Sequence, residues 1–188
     1  IGLEVLAYDD WGDGNVGIGG GSLSQTSWDY NVSLGYLSGL FNTTGSYNVI
    51  NGMSALYNNS TGSYNIAIGM NAGRYIANKS TGATIVNNSI LIWYRTSPLA
   101  NNGTNEVVIG YDANGNWSNT VTIGWTGTTG NYFKGILDTE GNTLRVRTSR
   151  TPASETATGN AGDICWDADY IYVCTATNKW KRTAITTW

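Results

Sequence analysis

Short apolar triplets alternate along this chain with polar, glycine-bearing turns, and they do so on a steady beat. Asn15-Val-Gly-Ile-Gly19 returns as Asn31-Val-Ser-Leu-Gly35, Asn48-Val-Ile-Asn-Gly52 and Asn65-Ile-Ala-Ile-Gly69. Looser copies follow at Ser89-Ile-Leu-Ile-Trp93, Glu106-Val-Val-Ile-Gly110 and Thr120-Val-Thr-Ile-Gly124. The start-to-start spacings are 16, 17, 17, 24, 17 and 14 residues. A period of two within each copy predicts a short strand, and no ten-residue stretch carries the 3.6-residue period of a helix. Repetition at a fixed spacing is the mark of stacked coils. One coil of about 16 residues cannot enclose a core alone, whereas stacked coils bury a continuous column. The expected class is therefore all-β, a β-solenoid or β-roll of stacked repeats.

In Asn65-Ile-Ala-Ile-Gly69 the alternation puts Ile66 and Ile68 on one face and Ala67 on the other. The expectation is that the two isoleucines fill the apolar column inside the stack. Glycine ends the strand where the backbone bends, since it lacks a Cβ to clash. Asn51 stands where Ile18, Leu34 and Ile68 stand in the other copies. That rung is either part of an asparagine ladder or faces water or the axis of an assembly. The stretch 78–98 interrupts the regular repeat.

Three segments follow from this pattern: a β-repeat shaft at 1–126, connecting strands at 127–150, and a small C-terminal β domain at 151–188. The connecting part holds Tyr132-Phe-Lys-Gly-Ile-Leu137 and Thr143-Leu-Arg-Val-Arg-Thr148, with Arg145 and Arg147 read as a solvated face or a basic binding strip. After a loop at 151–162, Asp163-Ile-Cys-Trp166 and Tyr170-Ile-Tyr-Val-Cys174 flank Asp167-Ala-Asp169 as a hairpin, and Lys179-Trp-Lys-Arg182 adds a third strand.

The segment Thr61-Gly-Ser-Tyr-Asn-Ile-Ala-Ile-Gly-Met-Asn-Ala-Gly73 resembles repeats of phage tail fibres and of trimeric autotransporter adhesin heads. Thr151-Pro-Ala-Ser154 followed by Gly162-Asp-Ile-Cys-Trp-Asp-Ala-Asp-Tyr-Ile-Tyr-Val-Cys-Thr-Ala-Thr-Asn-Lys-Trp-Lys-Arg182 resembles the C-terminal domain of tail-fibre-like proteins of marine cyanophages. The resemblance implies a homotrimeric fibre located in the virion tail, outside the cell. Its implied partners are a host cell-surface glycan or protein and other tail proteins. A bacterial trimeric adhesin and a glycan-depolymerising tailspike are the alternatives.

Composition narrows the choice. The chain has 188 residues with 25 Gly, 12 Tyr and 8 Trp, no His, and a net charge of −3. No Asp or Glu lies between Asp29 and Glu106, and seven of the ten basic residues follow residue 130. No basic patch suits nucleic acid, and no apolar run of 18 residues suggests membrane insertion. Glycan hydrolysis takes two carboxylates roughly 5–9.5 Å apart, and the repeats lack them, so the expectation is a receptor-binding structural protein that is not an enzyme. No cofactor is expected.

Trp166, Tyr170, Tyr172 and Trp180, with Asp169 in the turn, are the candidate receptor contacts, because aromatic rings offer apolar faces with polar edges. The competing reading makes the four rings the core of a domain too small to cohere without them. Asp163, Asp167 and Asp169 read as turn chemistry rather than a metal site, and the acidic run at Asp9–Asn15 lacks the glutamate that would complete a calcium loop. Eight Asn-x-Ser/Thr sequons, at Asn31, Asn42, Asn58, Asn59, Asn78, Asn87, Asn102 and Asn116, are candidate glycosylation sites. A two-residue loop at Ala168-Asp169 pairs Cys165 with Tyr172, whereas a loop at Asp169-Tyr170 sets Cys165 against Cys174. The resemblance implies that only the second cysteine is usual, and two free, buried thiols are expected.

Overall fold

The computed structural model describes residues 2–6, 13–27, 29–124, 127 and 150–186. Two compact units divide the chain, Ile1–Tyr132 and Phe133–Trp188. The expected connecting strands at 132–137 and 143–148, and the run at 9–12, lie outside the described residues.

The first unit is a parallel β-solenoid. Its seven strands are β1 (Val16–Ile18), β2 (Val32–Leu34), β3 (Val49–Asn51), β4 (Ile66–Ile68), β5 (Ile90–Ile92), β6 (Val107–Ile109) and β7 (Val121–Ile123), hydrogen-bonded in chain order into one sheet. Each strand is three residues long because a residue at positive φ closes it. Six of these closing residues are glycines, and at Gly52 (φ 145°) an added Cβ would lie 2.5 Å from the Gly69 carbonyl oxygen of the next coil. Trp93 fills the same place after β5 at φ 112°. A second run of bonds outside the sheet holds the coils together, with Gly39 N–H donating to Ala55 O, Leu56 N–H to Ala72 O and Gly73 N–H to Thr96 O at 2.8–2.9 Å. The irregular stretch does not break the stack, because β4 pairs with β5 in register. The extra residues fold back as a turn, Ile76 N–H donating to Thr81 O, and Lys79 ties that turn to Asp112 at 3.3 Å.

The expected facing of the strands is reversed. Ala67 is fully buried, whereas Ile66 and Ile68 are 37% and 39% exposed. The same holds along the sheet: Gly17, Ser33, Ile50, Ala67, Leu91 and Val108 point inward. Two columns point outward, Val16-Val32-Val49-Ile66-Ile90-Val107-Val121 and Ile18-Leu34-Asn51-Ile68-Ile92-Ile109-Ile123.

The reason is the residue that opens each repeat, asparagine in the first four. Asn31, Asn48 and Asn65 are fully buried. Each accepts, at its Oδ1, both the backbone N–H and a side-chain N–H of the next rung or the Ser89 N–H. Each Nδ2 also donates to a carbonyl of the adjoining turn, Gly45, Gly62 or Val86. With asparagine inside, the period of two sends the residue two places later inside as well, and the pair between outward. A coil this narrow leaves room for one inward side chain per strand, often a small one.

The second unit is a three-stranded antiparallel sheet of β8 (Ile164–Trp166), β9 (Tyr170–Ala176) and β10 (Lys179–Ala184) in the order β10-β9-β8. Cys165 pairs with Tyr172 and Trp166 with Ile171, as the two-residue loop requires. Cys165 and Cys174 are free and buried.

Candidate functional site

Alternation along β8–β10 sorts the side chains of the second unit. Cys165, Tyr172, Cys174 and Trp180 face inward and pack with Ala157 and Tyr170. The segment before β8 covers them. Trp180 donates its indole N–H to Ala157 O at 2.9 Å and its backbone N–H to Glu155 O at 2.8 Å. Gly159 lies flat on the indole, where a Cβ would come within 2.5 Å of the ring. The Asn178 amide oxygen accepts from Gly159 N–H at 3.0 Å, which pins the cover at its far end.

Asp167 organises the turn. Its Oδ1 accepts from the backbone N–H of Asp169 (2.9 Å) and of Tyr170 (2.8 Å), and its Oδ2 from the hydroxyls of Tyr172 (2.6 Å) and Thr151 (2.8 Å). The Tyr172 hydroxyl is the largest of several donors that hold this carboxyl well below the usual carboxylate range. The same bond pushes the Tyr172 phenol up, so the shared proton stays on tyrosine. Asp163 likewise accepts from Asn160 N–H at 2.8 Å. Both aspartates are engaged in turn chemistry.

Between the covering segment and the sheet lies a cavity of about 540 Å³. Residues 151–155 form one side, and Tyr172, Trp180, Lys181 and Arg182 the other. Arg182 pairs across the strands with Tyr172 and stacks its guanidinium 4.2 Å over the Tyr170 ring. A guanidinium fixed on an aromatic face keeps its N–H fork ready for a carboxylate or sugar hydroxyl. Glu155 lies on the facing side. The volume falls within the ~300–1,000 Å³ range of small-ligand sites.

The candidate contacts named from sequence divide between two places. Tyr172 and Trp180 are core residues that also line the cavity. Tyr170 is half-buried under Arg182, while Trp166 and Asp169 are exposed, Trp166 on the other face of the sheet. Sequence reasoning passed over Arg182, Lys181 and Glu155. The alternation of β10 against β9 was the available signal, since it sets Arg182 beside Tyr172. Of the sequon asparagines, Asn31, Asn42 and Asn59 are buried with their amides bonded to backbone. Asn58 and Asn87 are half-buried, and Asn78, Asn102 and Asn116 are exposed. Among the described residues no helix is long and apolar enough to cross a membrane.

No family model matches the chain, and no solved structure matches it. Two curated proteins do, and with the β-solenoid they support a phage tail protein, located in the virion tail. One is a capsule K30/K69-specific depolymerase of Klebsiella phage K64-1, 48% identical over 50 residues, which are 27% of this chain and 6% of that protein. The other is depolymerase 1, capsule K30/K69-specific, of Klebsiella phage K5-2, 47% identical over 49 residues, 26% of this chain and 6% of that protein. Neither carries the narrower likeness to cyanophage fibres or adhesin heads. They correct the expectation that the chain is no enzyme, since both relatives are named as depolymerases. That expectation rested on missing histidine and missing carboxylates in the repeats. The matched segment is 6% of each relative, so a count over this chain does not reach their remaining residues.

Proposed function

We propose that the chain belongs to a capsule-directed depolymerase of a phage tail, and that its C-terminal unit holds the host glycan. The observation that carries this is the match to two phage proteins named as capsule-specific depolymerases. The cavity supports it, with aromatic walls, a stacked arginine and hydrogen-bonding groups of both kinds. Arg182, with Glu155 on the facing side, suits an acidic sugar unit. Charge-assisted bonds to a carboxylate are roughly twice as strong as neutral ones. Trp166 and Asp169, both exposed, are proposed to extend the contact along the outside of the hairpin. Adsorption tests the reading: the labelled chain is expected to bind encapsulated cells and to lose binding when the capsule is stripped. Equal binding to stripped cells would sink it.

The chain is also proposed to work as a homotrimer. Among the described residues its solenoid leaves two outward columns, aliphatic at every position but Asn51, that association between copies would cover. Light scattering is expected to give three times the 20.2 kDa chain mass. A stable folded monomer at micromolar concentration contradicts this.

A further inference from the structure

We infer that Asp167, itself outside the cavity, is a positioning residue that holds the two cavity walls together at one end through a single carboxylate oxygen, and so sets how tightly the glycan is held. The inference rests on the proposal that this cavity takes the host glycan.

The two walls differ in how they are built. One is strand, with Tyr172 on β9 and Trp180 and Arg182 on β10, and ladder bonds fix it. The other, residues 151–155, belongs to no strand and keeps its place through single bonds. At the Glu155 end the walls bond directly, Trp180 N–H donating to Glu155 O at 2.8 Å. At the Thr151 end, among the described residues, no bond joins them directly. Arg150 N–H donates to Trp166 O at 2.9 Å, which brings Thr151 to the end of β8. There the hydroxyls of Thr151 and Tyr172, one from each wall, both donate to Asp167 Oδ2, at 2.8 and 2.6 Å.

The chemistry of the carboxylate makes this a firm link. An ionised carboxylate only accepts, so both hydroxyls turn their protons to it. Oδ1 is held by the N–H groups of Asp169 and Tyr170 at 2.9 and 2.8 Å, which keeps the carboxylate from rotating. The short Tyr172 bond has the length of a charge-assisted one. With its proton committed to Asp167, the Tyr172 oxygen can only accept from other groups, and Arg182 stands opposite it across the strands. Loss of either hydroxyl unlinks the walls at this end and frees the cavity to widen beside Arg182.

Thr151→Val, Thr151→Ser, Tyr172→Phe and the double variant Thr151→Val with Tyr172→Phe test this on the full chain. Valine keeps the branched shape and phenylalanine keeps the ring, so each removes one donor to Asp167 and little else. Binding is read by titration calorimetry against purified K30 and K69 capsular polysaccharides. Thr151→Val is expected to weaken binding about fivefold, the size of one net hydrogen bond, and Thr151→Ser to bind as the parent does. The double variant is expected to lose little more than the weaker-binding single one, because either removal already unlinks the walls, whereas independent contacts would add. Hydrogen exchange of residues 151–160, read without glycan, is expected to quicken in Thr151→Val and Tyr172→Phe and to keep the parental rate in Thr151→Ser. Thr151 lies outside the strands, so its two variants decide the matter even where Tyr172→Phe loses the core. A Thr151→Val variant that binds as tightly as the parent, or single losses that add in full, overturns the inference and leaves the glycan reading standing. A parent that binds neither polysaccharide overturns the proposed function, and exchange rates unchanged by Thr151→Val overturn the link between the walls.

Discussion

Asn48 holds two rungs together with one side chain. Its Oδ1 accepts from Asn65 N–H and Asn65 Nδ2 at 3.1 and 2.9 Å, and its Nδ2 donates to Asn31 Oδ1 and Gly62 O, both at 3.0 Å. Asn48→Ala orphans several buried groups at about 1–3 kcal/mol each. A loss of about 3 kcal/mol or more is expected, seen as a fall in Tm on the order of 10 °C. Asn116→Ala, on the surface, is expected within about 0.5 kcal/mol of the parent. The ladder ends differently. Glu106 opens its repeat where asparagine stood before, is 1% exposed, and accepts from Leu99 N–H at 3.1 Å through Oε2. Burial pushes its carboxyl above the ordinary glutamate value of 4.5. The folded chain therefore keeps this proton to higher pH than the unfolded chain. Stability from this group is complete below 4.5 and falls as pH rises from there through the raised value. Glu106→Gln removes the loss, so its Tm is expected to exceed the parent's at pH 8 and to draw level near pH 4. Identical pH profiles would contradict the assignment.

At the scale of the element, facing matters more than strand placement. Ala67 lies in the closed interior and Ile68 outside it. Ala67→Leu is expected to overpack the coil at about 1–3 kcal/mol. Ile68→Asp is expected to keep the circular dichroism spectrum of the solenoid and to lower the oligomer's mass. The reverse outcome would restore the facing first read from the sequence. The strands themselves were legible, because asparagine and glycine bracket the first four triplets and the looser copies keep nearly the same spacing. Their facing was not, since counting apolar residues puts two isoleucines inside against one alanine. The overlooked fact is that the bracketing asparagine is itself interior, where its amide serves four backbone and side-chain partners. The hairpin was legible, and of the two registers the sequence left open the structure has the one with the loop at Ala168-Asp169, where Asp167 accepts backbone N–H groups from the turn it opens. The cavity was not. It depends on residues 151–155 folding back over Trp180, a pairing between Glu155 O and Trp180 N–H that no local pattern announces.

For the molecule as a whole, the proposed function divides the work of the two units between assembly and recognition. The solenoid spends its polar side chains on internal ladders and leaves aliphatic columns outside, which favours association between copies. The C-terminal unit spends its large rings on a small core and leaves Arg182, Lys181 and Glu155 around a cavity. Titration calorimetry of the purified chain against isolated capsular polysaccharides, with K30 and K69 among them, tests the central claim most directly. The account predicts saturable binding that weakens with added salt. It also predicts a loss of about tenfold or more in affinity for Arg182→Ala, the size expected for one charge-assisted bond. Absence of binding to every capsule glycan by a correctly folded chain, or an Arg182→Ala variant that binds as tightly as the parent, would contradict it.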